Sequence, residues 1–581
     1  MSLKQSKIGL LYNKLKGKKQ DGNEEKPLMK NRTQTDGEQT FEYMESSDQS
    51  GRMYMDLIGP DVEVSGKQVL EILRKILSEQ SNPEDLDKAA EVLKRWGKLN
   101  SVTIDNEEGS FPQNWLCECL QEIDQFVENH IPTLPVEGPQ GSQSEQLHDF
   151  LKSTHTVICH EVVRLTPVLE DTGLLDHLID SYSRHLFLKL DLLLNRDLSV
   201  KETFCLLRWG KDVFFSPDSQ HVVRVHDPLL LTGWFEKAIR KLLPILKNDI
   251  SETLQNILHF DEKHGHYEES MDEERFIRVH IDVTQCLNAV LVNSEAFSKT
   301  FVCTAQNLCL EELHCFVRKY VDAEKKHLTN WKPLKTNFVY LFRVISTCRQ
   351  LRFFAPQLNT PGINNDLLNL ICCILKEMED HVLSIVQKMM KHLAEDSLRG
   401  YFKKGYEQIH TLTKAILKQC ASLPQNDVGK EIQEIFVDVA YDCVSRVYLD
   451  CLMKSKIKRL EKRWGNVGER MREDALNFHN TFTELSGSDD QRNQLLQRLS
   501  EVVLCNDVDA LKVICCDVSQ SFPKDSEQYV PGLLRWKGVL SERQVREVLD
   551  VVRDVLDGIR DPKPKSRCVT RHSLKGFCCC L

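Results

Sequence analysis

The chain has 581 residues, of which 41% are apolar and 28% are charged, and its formal net charge at pH 7 is −10. This composition is typical of a soluble protein with hydrophobic cores, and no apolar run approaches the ~18 residues of a membrane-spanning helix. The acidic balance also argues against a nucleic-acid-binding protein, so affinity for an anionic surface must come from local basic segments.

The scarcity of helix breakers favours long helices. The chain has 26 glycines and 19 prolines, and no proline occurs at 245–332 or at 425–522. Strand-like alternation of apolar and polar residues is nearly absent. No secretory signal precedes the 21 cysteines, so we expect reduced thiols in a cytoplasmic protein.

We predict that residues 1–60 form a disordered leader, because large apolar side chains are few there, and that its start is basic and amphipathic. Four apolar side chains near the start fall on one face of a short helix, as in segments that lie on an anionic membrane. A solvated end with accidental spacing is the alternative. The apolar residues are Ile8, Leu11, Tyr12 and Leu15, and the predicted membrane contacts are Lys4, Lys7, Lys14, Lys16, Lys18 and Lys19.

From Val64 onward the apolar spacing predicts an all-α chain without a fixed repeat. The helical stretches are predicted at 145–195, 201–215, 233–259, 274–326, 333–354, 364–396, 400–421, 427–482, 490–504, 507–520, 526–536 and 541–557. The predicted domains are the leader at 1–60, N-terminal helical bundles at 61–260, a middle bundle at 261–425, a C-terminal bundle at 426–560 and a polybasic tail at 561–581.

The chain lacks the glycine-rich phosphate loops, the nucleophile elbow and the zinc-protease motif of common enzyme sites. We therefore predict no catalytic residue, no cofactor and no metal. The best metal candidate is a group of four side chains, which would all have to lie about 2 Å from a zinc ion to bind it. A polar loop between two long helices explains the group better. Its members are His259, Asp261, His264 and His266.

A basic run follows an apolar helical segment near residue 455 and is relieved only by Glu461. Such a run could bind anionic headgroups or an acidic partner helix. The simpler interpretation is the solvated face of one long helix, whose inner face carries the apolar residues. The run consists of Lys454, Lys456, Lys458, Arg459, Lys462 and Arg463.

The C-terminal segment predicts lipidation. Cys578 lies at the cysteine position of a C-a-a-X pattern that ends in Leu581, and leucine there indicates a geranylgeranyl group. Cys568 is a candidate for reversible palmitoylation. Residues 579 and 580 are cysteines instead of the usual aliphatic residues, so a chance cysteine-rich end is the alternative. A lipid chain and a polybasic patch together hold a protein at a membrane, and the basic residues are Lys563, Lys565, Arg567, Arg571 and Lys575.

A series of motifs ends the helical region, at 469–475, 482–485, 499–504, 522–525 and 533–541. Their order resembles the C-terminal helices of the exocyst complex component 3 family. In that family an aromatic-Pro-Asp turn precedes a helix that ends in a Lys/Arg-Gly-x-Leu-Ser link to the final helix. Weaker echoes lie at 206–209 and 344–349, and the resemblance covers about 65–560. The length and basic leader are most like the exocyst component 3-like and tumour-necrosis-factor-alpha-induced protein two branch.

The resemblance implies an elongated rod of stacked helical bundles of the tethering-complex type, with disordered N- and C-terminal tails. It also implies a non-enzymatic role in exocytosis or membrane protrusion, through vesicle docking at the inner face of the plasma membrane. The implied partners are exocyst subunits, SNARE proteins, Ral-type small GTPases and anionic inner-leaflet lipids, with no nucleic acid. Membership of the full exocyst stays open, because long N-terminal coiled-coil heptads are not evident.

Two hypotheses follow. The first is a membrane-tethering adaptor, in which two weak membrane contacts on one chain raise its avidity. The second is a helical scaffold without direct membrane attachment. A third, an enzyme that uses the group at 259–266, would need a bound metal and a pocket.

Overall fold

The described part of the chain is helical, apart from short turns and one 3-10 turn, and contains no strand, which confirms the predicted all-α class. Contacts between Cα atoms divide the chain into two compact units, at 1–92 and 93–581. The computed structural model describes residues 66–78, 87–96, 114–135, 143–215, 228–264, 273–330, 338–358, 365–404, 407–486 and 494–560.

The first unit contains α1 (Gly66–Leu77). Its apolar residues recur at helical spacing, and the stripe they form is buried; Val69, Leu73 and Ile76 are its most deeply buried members. The chain is again helical at 87–96.

The second unit begins with five helices. Asp171 and Gly173 both have left-handed backbone and divide the stretch predicted at 145–195 into two helices. The five are α2 (Asn114–His130), α3 (Gln143–Leu169), α4 (Leu174–Leu194), α5 (Val200–Phe215) and α6 (Pro228–His264).

Four helices form the middle of this unit. The helix α9 lies at the centre, because 12 of its 16 residues are buried and both α7 and α10 pack against it. The helix α10 has 40 residues and is about 60 Å long, so it reaches from α8 to α12. The four are α7 (Glu273–Phe297), α8 (Lys299–Asn330), α9 (Val339–Phe354) and α10 (Asn365–Lys404), with the 3-10 turn at Ala355–Leu358.

The remaining helices pack mainly on neighbours close in sequence, such as α14 on α15 and α16 on α18. Two of them are capped by the side chain just before the first turn. The Asn426 side chain accepts a hydrogen bond from Gly429 N (2.8 Å), and the Asp507 side chain accepts one from Ala510 N (2.8 Å). They are α11 (Glu407–Ala421), α12 (Asp427–Lys454), α13 (Ile457–Trp464), α14 (Val467–Ser486), α15 (Leu495–Leu504), α16 (Val508–Ser521), α17 (Pro523–Lys537) and α18 (Glu542–Arg560).

The single long helix predicted at 427–482 is wrong, since α12, α13 and α14 occupy this stretch. Extended backbone at Ser455 ends α12, and left-handed backbone at Gly465 ends α13. The Asn466 side chain then accepts hydrogen bonds from the first amides of α14. Conversely, Pro167 and Pro244 lie inside helices. Proline spacing alone therefore does not locate the helix ends.

Candidate functional site

The residues predicted to carry lipid and to contact the membrane lie outside the described part of the chain. This holds for the leader lysines at 4–19, for Cys568 and Cys578, and for the basic tail residues at 563–575. Within the described ranges, no helix combines the length and the apolar character needed to cross a membrane.

The four residues of the metal candidate lie in different environments. His259 and Asp261 lie in the last turns of α6, not in a loop as predicted, and α6 ends at His264, while His266 is outside the described residues. His259 is exposed, whereas Asp261 is buried and binds Arg343. In the described part of the chain, no three histidine, cysteine or acidic side chains are grouped to hold a metal.

Asp261 belongs to a buried ionic cluster that joins three helices, which we call the Arg343 cluster. Arg343 on α9 is 1% exposed and donates to Asp261 on α6 and to Glu324 Oε1 on α8, the latter at 3.3 Å. The phenol of Tyr340 donates to the other Glu324 oxygen. Burial of an arginine is tolerated when carboxylates surround it, so this cluster fixes α9 against α6 and α8.

The Arg343 cluster holds one cation for two carboxyl groups. Burial raises the pKa of Glu324 to about 7, although Arg343 and the Tyr340 hydroxyl oppose that rise. Burial by itself would lower the pKa of Arg343, but Asp261 and Glu324 raise it above its ordinary value. When Glu324 is protonated, the remaining pair of Arg343 and Asp261 is neutral overall.

A second ionic cluster lies nearby on α9. Glu379 on α10 is 1% exposed and accepts hydrogen bonds from Arg349 and Arg352, both at 2.8 Å. Arg349 also binds Glu431 on α12 at 2.6 Å. Arg349 ends the echo at 344–349, and the other residues of that echo pack α9 into its neighbours, with Val344, Ile345 and Cys348 buried.

A third cluster, the Asp474 cluster, joins α10, α12 and α14. Asp474 Oδ2 accepts from the phenols of Tyr401 (2.5 Å) and Tyr448 (2.8 Å), and Asp474 Oδ1 lies 3.2 Å from the Arg470 guanidinium. Burial raises the pKa of Asp474, while these three partners oppose the rise. The Trp464 ring stacks on Tyr401, with ring centroids 5.4 Å apart.

These clusters were not predicted from the sequence. The sequence carries one signal of such a cluster, a charged residue within an apolar segment. Arg343 lies between Phe342 and Val344 in the middle of a helix that is otherwise mostly apolar. That pattern identifies a buried cation, but its carboxylate partners lie 19 and 82 residues away in the chain.

The motif residues near the C-terminus serve as packing and capping positions. Gly538 has left-handed backbone (φ 67°) after α17, where other residues are disfavoured. Ser541 and Gln544 exchange hydrogen bonds at the start of α18, which is a capping box. Trp536 Nε1 donates to Ser455 O at 2.7 Å and fixes α17 to the end of α12. The predicted link between the last two helices is therefore confirmed in detail.

The basic run is exposed and is not the face of one long helix. Lys454 ends α12, Lys456 lies in the turn, and the other four members belong to α13. Of α13, only Leu460 is fully buried. The run therefore covers a corner between two helices.

The chain matches one family model and is similar to several known proteins. The model of the exocyst complex component Sec6 family matches residues 65–542. Tumor necrosis factor alpha-induced protein 2 of Mus musculus is 24% identical over 535 residues, which are 85% of this chain and 74% of that protein. The exocyst complex component 3-like protein of Homo sapiens is 21% identical over 487 residues, 79% of this chain and 64% of that protein.

The crystal structure of M-Sec has the same fold. It superimposes with a TM-score of 0.63 at 18% identity and covers 85% of this chain and 87% of that one. The matched range of the family begins just before α1 and ends at the start of α18, so it includes nearly every described helix. The resemblance inferred from the C-terminal motifs is thereby confirmed, and the chain belongs to the exocyst complex component Sec6 family.

Proposed function

We propose that the protein is a non-enzymatic tethering adaptor, attached to the inner face of the plasma membrane and acting in exocytosis or membrane protrusion. The observation that carries this proposal is the family match over residues 65–542. The described residues support it, because the three buried ionic clusters around Arg343, Glu379 and Asp474 hold helices together.

Attachment in this proposal comes from the two ends of the chain. The leader lysines supply one contact, and the tail supplies a second through its basic residues, a prenyl group on Cys578 and a palmitoyl group on Cys568. One lipid chain gives marginal binding, whereas a lipid chain and a basic patch give stable binding. Two linked weak contacts raise avidity without any new contact.

The helical bundles between the ends are the proposed surface for partners, within the domains 61–260, 261–425 and 426–560. Exocyst subunits are the first proposed partners, since a relative is named an exocyst complex component 3-like protein. SNARE proteins and Ral-type small GTPases complete the set that the family resemblance suggests. The protein would act as a scaffold that brings these partners to the membrane surface.

Membrane fractionation of cells that express the intact chain tests the proposal. We expect the parent in the membrane fraction and the Cys578→Ser variant largely in the cytosol, because loss of the lipid leaves only the basic contacts. Neutralising Lys14, Lys16, Lys18 and Lys19 as well should reduce membrane binding further. A Cys505→Ser variant is a matched control, since that cysteine lies within the helical region.

The outcomes separate the two hypotheses. A parent that stays in the cytosol would contradict attachment and favour a scaffold without direct membrane contact. Equal membrane binding by the parent and by Cys578→Ser would contradict the lipid anchor. Co-precipitation of exocyst subunits by the same variants then shows whether partner binding needs the membrane.

A further inference from the structure

The corner between α12 and α14 carries a concentrated positive surface. Residues one turn apart on a helix share a face, so the 100° step per residue places Lys458, Arg459 and Lys462 together on the side of α13 opposite Leu460. All three are exposed, and the two lysines just before the helix are exposed as well. We call this surface the α13 basic face; it consists of Lys454, Lys456, Lys458, Arg459 and Lys462.

The helix that carries this face is fixed to the bundle. Leu460 is buried, and the Trp464 ring packs against Tyr401 and Phe402 at centroid distances of 5.4 and 5.3 Å. Arg463 donates to the carbonyl oxygens of Phe402 and Lys403, both at 2.9 Å, near the end of α10. Arg463 is thus used in packing, whereas the five members of the α13 basic face are exposed.

The cations of the face form no ion pairs within the described residues. Among the described residues, no member of the face has a carboxylate within 4 Å, and the only acid on α13, Glu461, lies toward the flank. The neighbouring helix α14 differs, because Arg470 binds Glu473 at 3.3 Å and Asp474 at 3.2 Å. Like charges three or four residues apart destabilise a helix by ~0.2–0.5 kcal/mol a pair. The packing of α13 therefore does not explain its charge pattern.

The chemistry of the face fits a lipid surface better than a protein. Protein interfaces have a core of aromatic and aliphatic anchors that are exposed before binding. On α13 the only aromatic ring, Trp464, is half-buried and engaged with Tyr401. Four of the five members of the face are lysines, whose flexible ammonium groups bind anionic headgroups as point charges.

We infer that the α13 basic face is a third membrane contact, which binds the headgroups of an anionic bilayer. It belongs to the folded bundle, unlike the leader and tail contacts of the proposed function, and it does not depend on lipidation. Binding there would hold the corner of the bundle against the membrane, so the chain would meet the bilayer in a defined orientation. The contact is electrostatic and weakens as ionic strength rises.

Vesicle flotation of the purified full chain tests this inference. The chain is produced in bacteria, which do not prenylate it, and is mixed with phosphatidylcholine vesicles that contain about a third phosphatidylserine. The variant carries Lys458→Ala, Arg459→Ala and Lys462→Ala, and alanine favours the helix. The matched control loses the same charge from other exposed lysines without ion pairs on α10 and α11, through Lys388→Ala, Lys391→Ala and Lys414→Ala.

Each cation near an anionic surface contributes ~1 kcal/mol, about a fivefold change in partition. We expect the partition of the α13 variant to fall on the order of tenfold or more, and that of the control to fall less than about threefold. Equal falls in both, or no fall in the α13 variant, would overturn the inference. An α13 variant that binds vesicles normally would redirect attention to an acidic protein partner. Unchanged helicity by circular dichroism establishes that the variants fold.

A second chain, in which the leader and tail cations are all neutralised, separates this inference from the proposed function. If it keeps part of the vesicle binding and loses that part on mutation of the α13 basic face, the third contact stands whatever the ends do. If neutralising the ends changes nothing while the α13 variant loses binding, the proposed end contacts are wrong and the third contact is right. If the chain with neutralised ends does not bind vesicles at all, the third contact is overturned.

Discussion

The Arg343 cluster and the Asp474 cluster solve the same problem with opposite charge arrangements. In the first, one cation lies between two carboxyl groups; in the second, one carboxylate accepts from two phenols and faces Arg470. Arg343 and Asp474 are each 1% exposed. Both clusters connect three helices of the second unit, so each fixes helix positions that apolar packing alone leaves adjustable.

The difference lies in what remains when one partner is lost. Removal of Arg343 leaves two carboxyl groups without a cation, and they must be ionised at a large cost or protonated. Removal of the charge on Asp474 leaves two neutral phenols and Arg470, whose side chain is 17% exposed and can reach water. The first cluster should therefore be the more sensitive to mutation.

The largest effect is expected for Arg343→Met, which keeps the side-chain volume but removes the cation. The free energy of unfolding should fall by about 3–5 kcal/mol, since a buried ion pair is broken on one side only. Urea unfolding followed by circular dichroism measures this, with attention to separate transitions of the bundles.

Arg399→Met is the matched control for that measurement. Arg399 is 62% exposed and lies 3.7 Å from Glu395, so its loss should cost less than about 1 kcal/mol. Equal losses in the two variants would contradict the importance of burial. A loss below about 1 kcal/mol for Arg343→Met would contradict the cluster itself.

The stability of the Arg343 cluster should also depend on pH through Glu324. The folded pKa of Glu324, about 7, lies above its ordinary value of 4.5. Both states are protonated below pH 4.5, so no penalty exists there, and the penalty grows as pH rises through 7. Relative to Glu324→Gln, the free energy of unfolding of the parent should fall by on the order of a few kcal/mol between these pH values.

The measurement is the difference in unfolding free energy between the parent and Glu324→Gln at several pH values. This difference removes the contributions that the other carboxyl groups make to the unfolding free energy of both proteins. The control is Glu377→Gln on α10, where the same substitution is made at an exposed position. A flat difference for Glu324→Gln would mean that Glu324 stays ionised beside Arg343.

The fold could be predicted from the sequence because helix formation depends on local spacing. The ends of α5 (200–215) and α16 (508–521) agree with the predicted stretches to within a residue, since capping side chains such as Asp507 mark them. The breaks at Ser455 and Gly465 could not be predicted from proline spacing. The break at Ser455 is fixed by a tertiary contact, from Trp536 Nε1 to Ser455 O.

The candidate sites were predictable only in part. Runs of like charge are visible in a sequence, so the basic residues of α13 could be singled out, but their division between two helices could not. The clusters around Arg343 and Asp474 depend on partners from different helices, and a single sequence does not give those pairings. An arginine within an apolar helix is the one local signal of such a cluster.

The smallest effect is expected for Asp474→Asn. The carboxamide oxygen still accepts from Tyr401 or Tyr448, while Arg470 loses its charged partner and turns toward water, so the free energy of unfolding should fall by about 1–3 kcal/mol. Glu473→Gln is the control, because Glu473 is 63% exposed and its pair with Arg470 should contribute less than about 1 kcal/mol. Urea unfolding at pH 7 gives both values. If Asp474→Asn costs as much as Arg343→Met, a carboxylate held by phenols is as sensitive as a cation held by carboxylates, and burial would matter more than charge balance.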